Sequence, residues 1–481
     1  MKILFIYSMQ DIKTLQRPLK GQSDMQFGLS YISALLKKHG HQTQVVVLSR
    51  LLKEDNNKRV DEYIQAFAPQ MIGFTSVFSE YNLIRSMAAY IKQHYPNIFL
   101  VIGGCHASLN PGEVIEDGFD AVCIGEGEYP LLELADQLEK NMRPAGIPNC
   151  WFARENGIEK NPPRAFIEDL SSLPFPDRAM WQQWIQEEPD EIIPIMLGRG
   201  CVFNCSYCCN HALRTIAPGQ YVRLRSTDNV IAEVQEIIQL FPKKKYIYFE
   251  VESFGIDKRW AYELCEKLKN LNQSLRQPLS FGVNLRVTRN PDFEALFAAC
   301  KSSNFTFLNI GLESGSERVR RDILKRDYSN EDLLTTVRLA KKYGLKVMLY
   351  NLVGIPGETI ADFKETVSLN RACAPDGYFI SIFFPYPGTK LYDECKHDGL
   401  IHEPLDTEWE RRRPVLDLPG FPKEKILEFH DHFGELIYQG VRPSYARAFL
   451  NLASGIYARN YFLRRAYRVL KGMVKRSPDG R

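Results

Sequence analysis

Apolar, strand-like runs alternate with amphipathic, helix-like runs in two long stretches of the chain, residues 1–140 and 196–400. Strands separated by helices are usually joined by crossovers that leave them parallel in one sheet. The first stretch therefore predicts a doubly wound, Rossmann-like α/β domain. The six strand candidates of the second stretch fit a partial (β/α)6 TIM-like barrel better than an open sheet, although the pattern alone does not separate the two.

The remaining regions have a different character. Residues 141–195 are poor in periodicity and rich in proline, which predicts a linker that packs across the surface. Residues 401–481 predict a mostly helical C-terminal region. Arginines and lysines interleave with aromatic residues in its tail, residues 441–476. This pattern fits a helical cap on the barrel, an amphipathic helix on an anionic membrane surface, or a nucleic-acid surface; we expect no nucleic acid and favour the first two.

The composition narrows the class of protein. The net charge of +3 over 481 residues does not by itself indicate a nucleic-acid partner. The sequence has no apolar run long enough for a transmembrane helix, and its start, MKILFIYS, fits a first strand better than a signal peptide. The 11 cysteines, an odd number, argue against a disulfide scaffold and for a reducing compartment, so we expect a cytoplasmic protein.

Three glycine- or hydroxyl-containing loops follow strands of the predicted N-terminal sheet. Ligands of doubly wound sheets lie beyond the carboxyl ends of the strands, and glycine allows a backbone to approach a flat ligand closely. Ordinary strand-to-helix turns explain the same residues equally well. The loops are Thr75-Ser76, Gly103-Gly104 and Gly125-Glu126-Gly127-Glu128.

Only one group of cysteines has the spacing of metal ligands. Cys201, Cys205 and Cys208 form a C-x3-C-x2-C pattern directly after a predicted strand, with Gly198 and Gly200 allowing tight curvature before it. Such a loop can place three thiolates around one corner of a cubane iron–sulfur cluster and leave the fourth iron open. A zinc site from Cys205, Cys208 and His211 is the weaker alternative, because a second ligand pair is absent from the sequence nearby.

The pattern C-x3-C-x-aromatic-C, with Tyr207 as the aromatic residue, resembles the signature of the radical S-adenosylmethionine (radical SAM) superfamily. In that family three cysteines hold a [4Fe–4S] cluster, and the fourth iron chelates the methionine moiety of S-adenosylmethionine. Reductive cleavage then releases a 5′-deoxyadenosyl radical. The resemblance implies that Cys201, Cys205 and Cys208 are the catalytic metal ligands, and that the fold is a partial barrel.

Further positions resemble the S-adenosylmethionine contacts of the family. Glu252, with Glu250 as a competing candidate, stands where an acidic residue contacts the amino group. Arg286 could pair with the carboxylate, and Glu313 resembles the residue that bonds the ribose hydroxyls. The segment NLVGIPGE, which contains Gly354, resembles the strand that holds adenine.

The N-terminal stretch resembles the cobalamin-binding branch of the superfamily, which includes the anaerobic magnesium-protoporphyrin IX monomethyl ester cyclases and the class B methyltransferases. The matching segments include VIGGCHASLNPGEVIEDGFD and IGEGEYPLLEL. The D-x-H-x2-G motif of some cobalamin proteins is missing, since residues 11–16 read DIKTLQ. The resemblance therefore implies a cobalamin whose cobalt has no lower axial histidine from the protein. The missing motif is also compatible with a domain that binds no cobalamin. His106 is more easily explained as a loop histidine than as a cobalt ligand.

The resemblance implies a cobalamin-dependent methyltransferase that acts on an unactivated carbon through the 5′-deoxyadenosyl radical. The alternatives are a radical cyclase or oxidoreductase of the magnesium-protoporphyrin ester cyclase type, and a non-enzymatic cobalamin or iron–sulfur sensor. The expected cofactors are a [4Fe–4S] cluster, S-adenosylmethionine and cobalamin. The expected partners are a small-molecule or lipid-like substrate and an electron donor such as flavodoxin or ferredoxin. Peripheral contact with a membrane would use the basic tail.

Overall fold

The computed structural model describes residues 1–9, 17–49, 53–187, 191–402, 404–407 and 409–438. The chain divides into a large unit, Met1–Asp431, and a second unit, His432–Arg481. The basic tail and residues 11–16 lie outside the described residues, so the predictions made for them stay predictions. No helix within the described ranges is long and apolar enough to cross a membrane.

The N-terminal part of the large unit is a seven-stranded sheet with the order β2-β1-β3-β4-β5-β6-β7. Strands β1 to β5 are parallel, and β6 and β7 extend the sheet as antiparallel strands. Residues 45–48 of β2 are fully buried, as is typical of parallel strands that have helices on both faces. The strands are β1 (Lys2–Met9), β2 (Gln42–Ser49), β3 (Met71–Thr75), β4 (Phe99–Gly103), β5 (Ala121–Cys123), β6 (Cys150–Arg154) and β7 (Gly157–Lys160).

Six helices lie between these strands. Each of the longer ones buries an apolar face against the sheet; α1, for example, buries Leu29, Ile32, Leu35 and Leu36. The predicted doubly wound α/β architecture is thereby confirmed. The helices are α1 (Phe27–Lys38), α2 (Lys53–Phe67), α3 (Phe78–His94), α4 (Cys105–Leu109), α5 (Pro111–Glu116) and α6 (Glu128–Glu139).

The segment 141–195 differs from the predicted linker. It contributes β6 and β7 to the sheet, and it ends in two tryptophans that pack into the N-terminal core. Trp181 Nε1 donates to Ser30 Oγ at 2.8 Å, and Trp184 Nε1 donates to the Val45 carbonyl oxygen at 3.0 Å. Pro162, Pro163, Pro174 and Pro176 lie in irregular backbone between β7 and these tryptophans, so a high proline content here does not mean a loose connection. The predicted domain boundaries themselves stay predictions.

The C-terminal part of the large unit contains a six-stranded parallel sheet with the order β15-β14-β13-β12-β11-β8. The strands follow one another in chain order from edge to edge, as in a βα barrel, and among the described strands β8 and β15 do not pair, so the predicted partial barrel is open. A short antiparallel pair, β9 with β10, follows β8. The strands are β8 (Ile192–Met196), β9 (Gly198–Arg199), β10 (Arg223–Leu224), β11 (Tyr246–Glu250), β12 (Ser280–Leu285), β13 (Phe305–Glu313), β14 (Lys346–Val353) and β15 (Gly377–Ile382).

Successive side chains along the barrel strands point to opposite faces of the sheet, so polar side chains face the interior and apolar ones face the helices outside. Phe249, Phe281 and Phe305 form a buried aromatic cluster between the sheet and the helices. On the opposite face of the strands, Asn309 Nδ2 donates to Tyr248 Oη at 2.8 Å, and this hydroxyl bonds Asn284. The helices are α7 (Asn210–Leu213), α8 (Thr227–Leu240), α9 (Lys258–Ser274), α10 (Glu294–Ser302), α11 (Asn330–Lys342), α12 (Ile360–Cys373), α13 (Lys390–His397) and α14 (Lys423–Asp431); in the second unit, α15 spans Phe433–Tyr438.

Candidate active site

Two cavities flank the loop that carries the three cysteines. A cavity of about 350 Å³ lies at the carboxyl ends of the barrel strands, and Cys201, Cys205 and Cys208 line it. A second cavity, of about 290 Å³, lies beyond the carboxyl ends of β3, β4 and β5, and Gly200 lines it. Two adjacent residues, Gly200 and Cys201, therefore face different cavities.

The cysteine loop, residues 201–208, is held by side chains on either side of it. Gly200 has φ +87°, and a Cβ there would collide with the backbone of Tyr221 on the approach to β10. Arg214 donates to the carbonyl oxygens of Cys201 and Phe203, the latter at 3.0 Å. Ser206 Oγ donates to the Ile323 carbonyl oxygen at 2.6 Å. These contacts fix the backbone on both sides of Cys205.

Nitrogen donors face two of the three sulfurs. Arg286 Nη1 lies 2.7 Å from Cys205 Sγ, and its guanidinium stacks 3.7 Å from the centre of the Phe203 ring. Asn210 Nδ2 donates to Cys208 Sγ at 3.5 Å, while Tyr221 Oη donates to Asn210 Oδ1 at 2.6 Å. Donors of this kind stabilise the negative charge of ligand sulfurs. Two of the three sulfurs thus lie beside groups that would stabilise them as ligand thiolates.

The donor set fits a multi-atom cluster better than one zinc ion. A tetrahedral zinc ion needs its ligand atoms about 4 Å apart. Among the described residues, the group of three ligand atoms that lie mutually within 4.8 Å is His41, Asp136 and Glu139, at the surface, and not the cysteines. His211 Nε2 accepts the backbone N–H of Lys390 at 3.2 Å and so has another partner. The three cysteine sulfurs do not all lie within 4.8 Å of one another, which disfavours a single zinc ion as their shared partner.

Most of the residues predicted to contact S-adenosylmethionine come together in the barrel cavity. Tyr207, Glu252, Arg286 and Glu313 all line it together with the cysteines. Gly354 is not among the lining residues; its N–H bonds Glu358 Oε2 at 2.8 Å behind the end of β14. The contacts predicted for all five remain predictions.

Glu250, the competing candidate, is the last residue of β11 and is not among the lining residues. Burial, and then the nearby Glu252, raise the pKa of the Glu250 carboxyl to about 7. A carboxyl that holds its proton up to neutral pH is a weaker partner for an ammonium group than a carboxylate. This favours Glu252 for the predicted role.

Glu313 lies in a local network that the sequence does not reveal. Its backbone is left-handed, with φ +64°, at the irregular end of β13. Glu313 Oε1 lies 3.2 Å from Arg326 Nη1, which also donates to Tyr207 Oη at 3.1 Å. Arg326 Nη2 donates to the Gly311 carbonyl oxygen at 2.5 Å. Arg326 therefore orients both the predicted ribose ligand and the aromatic residue of the cysteine motif.

The sequence interpretation missed two arginines that line the barrel cavity, Arg326 and Arg411. Arg326 follows a π-helical turn, Val319–Ile323, and Arg411 precedes α14 in an irregular segment. Neither residue belongs to a strand-end motif, so no local pattern marks them.

The N-terminal cavity gathers seven of the eight predicted loop residues: Thr75, Gly103, Gly104, Gly125, Glu126, Gly127 and Glu128. Ser76 is buried beside them without being among the lining residues. Gly104 has φ +96°, and a Cβ there would lie 2.7 Å from the Ser76 carbonyl oxygen. Most of the remaining wall is apolar, including Phe74, Val101 and Leu131. A wide apolar cradle with glycine edges fits a flat macrocycle such as the corrin ring.

His106 is not among the residues that line this cavity. It is buried against the rings of Phe78 and Tyr81, and Asn110 Nδ2 lies 3.2 Å from its Nδ1. Burial lowers the pKa of His106 to about 4, so the ring is neutral at physiological pH. Packing and a local hydrogen bond therefore account for this histidine.

The Glu126 carboxylate is shared between protein groups. Its two oxygens lie 2.8 Å from Arg199 Nη1 and 3.0 Å from Arg223 Nη1. Burial alone would raise the pKa of Glu126, but the two guanidinium groups hold it below the usual value. Arg199 also pairs with the buried Glu128. These pairs join the loop after β5 to β9 and β10, and a cofactor contact by the Glu126 carboxylate remains a prediction.

Comparison with known families agrees with this layout. Residues 25–135 match the B12 binding domain, and residues 195–369 match the radical SAM superfamily. The chain thus contains a region that matches the B12 binding domain, followed by a region that matches the radical SAM superfamily.

Individual relatives span most of the chain. An uncharacterized methyltransferase of Pyrococcus horikoshii is 25% identical over 434 residues, covering 89% of this chain and 90% of the relative. The anaerobic magnesium-protoporphyrin IX monomethyl ester cyclase of Rubrivivax gelatinosus is 23% identical over 376 residues, which cover 76% of this chain but only 65% of the cyclase. The solved structure of the radical SAM methyltransferase TsrM from Kitasatospora setae, with cobalamin and a [4Fe–4S] cluster bound, superposes with a TM-score of 0.65 at 18% identity; the match covers 84% of this chain and 76% of TsrM.

Proposed function

We propose that the protein is a cobalamin-dependent radical SAM methyltransferase that acts on an unactivated carbon of a small-molecule substrate. Residues 1–140 would hold cobalamin, and residues 196–400 would hold the cluster and S-adenosylmethionine. The observation that carries the proposal is the shared wall between the two cavities, where Gly200 faces one and Cys201 faces the other. A methyl donor in the first cavity and a substrate in the second would meet at this wall.

In this proposal, Cys201, Cys205 and Cys208 ligate three irons of the cluster. When bound, the cluster, S-adenosylmethionine and cobalamin supply an electron, a radical that removes a hydrogen atom, and a methyl group, respectively. Asn210 and Arg286 donate to ligand sulfurs and so stabilise their negative charge. The proposal also includes an electron donor such as flavodoxin or ferredoxin, which would reduce the cluster.

The charged groups of the barrel cavity suit the two ends of S-adenosylmethionine. Glu252 would accept hydrogen bonds from the methionine ammonium group, and Arg286 would pair with its carboxylate. Glu313, oriented by Arg326, would accept hydrogen bonds from ribose hydroxyls. We place Gly354 in the adenine-holding segment only on resemblance, since it is not among the lining residues.

The chain's own residues would also exclude water from the reaction. The N-terminal cavity has apolar walls, and the rings of Tyr350, Phe379, Phe383 and Phe384 line the barrel cavity. A dry, preorganised site limits quenching of reactive intermediates by solvent. Thr75, Gly103, Gly104 and Gly125 would accommodate the corrin ring through their small side chains and exposed backbone.

The direct test uses the full chain, reconstituted anaerobically with iron, sulfide and cobalamin, then reduced in the presence of S-adenosylmethionine carrying a deuterated methyl group. A methyltransferase of this kind releases both 5′-deoxyadenosine and S-adenosylhomocysteine, and transfers the label to a small molecule from a cell extract. The variant with Cys201, Cys205 and Cys208 all replaced by Ala is the control and should release no 5′-deoxyadenosine. Release of 5′-deoxyadenosine without S-adenosylhomocysteine would favour a radical cyclase, and release of neither would favour a sensor.

A further inference from the structure

Arg411 projects into the barrel cavity from a backbone conformation that is unusual for its type. Its φ is +59°, in the left-handed region that non-glycine residues rarely occupy, and it lines the cavity. The Arg411 carbonyl oxygen accepts the backbone N–H of Ile382 at 2.9 Å, directly at the end of β15. Strained residues persist where the surroundings hold them, and they concentrate at functional sites. The contact with β15 therefore fixes the point from which this side chain enters the cavity.

The Nε atom of the Arg411 guanidinium group is hydrogen-bonded, whereas its two terminal nitrogens point toward no described partner. Arg411 Nε donates to Tyr386 Oη at 2.8 Å, and Tyr386 Oη donates in turn to the buried Glu410. Among the described residues, Nη1 and Nη2 of Arg411 have neither a hydrogen-bond nor an ion-pair partner. Two parallel donors on a fixed guanidinium group match the two oxygens of a carboxylate or phosphate.

The other two cavity arginines are already engaged. Arg286 lies against Cys205 Sγ and the Phe203 ring, and Arg326 bonds Glu313, Tyr207 and Gly311. The Arg411 backbone bonds the end of β15, one edge strand of the barrel sheet, whereas the cysteine loop follows β8, the other edge strand. Its ion pair is with Glu410, whose Oε1 lies 3.8 Å from Arg411 Nε, so neither the cysteine loop nor the Glu313 network engages its Nη1 and Nη2 within the described part of the chain.

Two aromatic rings line the same cavity as Arg411. Tyr350 on β14 and Phe379 on β15 pack with their ring centres 5.6 Å apart, and both line the cavity. Phe379 is 52% exposed although it lies in a central part of β15, so its ring faces open space in the barrel. An aromatic face of this kind binds a flat apolar group, and a nearby arginine binds an acidic one.

We propose that Arg411 binds an anionic group, a carboxylate or a phosphate, on a substrate whose body is planar and apolar. This inference rests on the proposed function, because it assigns the barrel cavity to the substrate as well as to S-adenosylmethionine. It makes Arg411 a residue that determines substrate specificity: a neutral substrate of the same shape binds more weakly.

The test uses naphthalene-2-carboxylate as the probe and its neutral carboxamide as the matched ligand. Binding of each to the reconstituted full chain, with S-adenosylmethionine present, is followed by ligand-observed NMR titration. The wild-type protein is expected to bind the carboxylate at least about tenfold more tightly than the carboxamide. Arg411→Gln is expected to remove this preference. Arg411→Lys keeps the positive charge but lacks the two parallel N–H donors, so it is expected to retain part of the preference.

Arg413→Gln is the matched control, because Arg413 is also exposed but stacks on Trp409 and is not among the cavity-lining residues. This variant should keep the full preference for the carboxylate. Equal binding of carboxylate and carboxamide to the wild type, or equal losses in Arg411→Gln and Arg413→Gln, would overturn the proposal. A loss of S-adenosylmethionine binding in Arg411→Gln, with the carboxylate preference intact, would also overturn it, since the anion would then be the cosubstrate's own carboxylate. Release of 5′-deoxyadenosine by the wild type tests the proposed function separately.

Discussion

Arg199 Nη1 lies 2.8 Å from Glu126 Oε1 and connects the strand before the cysteine loop to the loop after β5. The same guanidinium group pairs with Glu128, whose side chain is only 2% exposed. Glu126 lies in the loop after β5 and Glu128 begins α6, whereas Arg199 is two residues from Cys201. One side chain thus fixes the position of the cysteine loop relative to the N-terminal cavity.

Replacement of Arg199 by Met is expected to lower stability by about 3 kcal/mol, because it leaves buried carboxylates without one of their cations. Chemical denaturation of the apoprotein measures the change as a shift of the unfolding midpoint. Arg164→Gln breaks a more exposed pair with Glu133 and should cost less than about 1 kcal/mol. Similar midpoints for the two variants would show that the Arg199 pairs contribute no more than a surface pair.

Replacement of Asn210 by Ala is expected to lower the reduction potential of the reconstituted cluster. The change removes an N–H donor from Cys208 Sγ, and a donor there favours the more negative, reduced state. One hydrogen bond of about 1 kcal/mol corresponds to about 40 mV for a one-electron couple. A redox titration followed by electron paramagnetic resonance measures the shift.

Asn204→Ala is the control for this measurement, since Asn204 lies in the same loop and bonds Arg214 instead of a sulfur. Its potential should stay near the wild-type value. A potential for Asn210→Ala that is equal to or higher than that of the wild type would refute the role assigned to this donor.

Replacement of Gly104 by Ala is expected to reduce cobalamin binding. The new Cβ would lie too close to the Ser76 carbonyl oxygen, and the alanine would have to adopt φ +96°. The backbone at the edge of the N-terminal cavity must therefore move. Bound cobalamin is measured by absorbance after reconstitution and desalting. Gly118→Ala has a similar φ of +90° with no atom within 4 Å of the new Cβ, and it should retain cobalamin. Equal cobalamin content in both variants would mean that the loop at Gly104 does not shape the binding site.

The Glu358 carboxyl predicts a pH-dependent stability. Full burial raises its pKa from 4.5 to about 8, although the N–H groups of Gly354 and Ile355 oppose the rise. The folded state therefore binds this proton more tightly than the unfolded state. The stabilisation is fully present below about pH 4.5 and is lost as the pH rises through about 8.

Glu358→Gln cannot ionise, so its free energy of unfolding should rise relative to that of the wild type between pH 5 and pH 8.5. The relative increase is expected to be on the order of a few kcal/mol, and thermal unfolding at each pH measures it. Glu155→Gln, at an exposed position, should show a constant difference from the wild type over the same range. A constant difference for Glu358→Gln as well would show that the carboxyl is ionised throughout.

Local patterns in the sequence were enough to predict the two parallel sheets and the cysteine loop. Strand and helix periodicity reports which face of each element is buried, and the C-x3-C-x2-C spacing is contained in one loop. The comparisons confirm the fold class and show that the two regions match the B12 binding domain and the radical SAM superfamily. The roles of the individual residues that contact cofactors remain predictions, although the structure brings Glu252, Arg286 and Glu313 into one cavity with the cysteines.

Features that depend on distant contacts were not predictable in the same way. Arg326 and Arg411 reach the barrel cavity from irregular segments after the strands, and only the folded chain brings them to Tyr207, Glu313 and Tyr386. The antiparallel strands β6 and β7 lie in a proline-rich segment whose short apolar runs resemble a linker. The pairing of β6 with the exposed edge of the sheet at β5, and of β7 with β6, is encoded by no local pattern.

The central claim, that three thiolates hold a cluster with an open iron, is tested most directly by iron and sulfide analysis of single cysteine variants. After anaerobic reconstitution, Cys201→Ala, Cys205→Ala and Cys208→Ala should each lose most of the iron and all release of 5′-deoxyadenosine. Cys209→Ala, one position beyond the motif, should keep the wild-type iron content. Full iron content and undiminished release of 5′-deoxyadenosine in any of the first three variants would contradict the account.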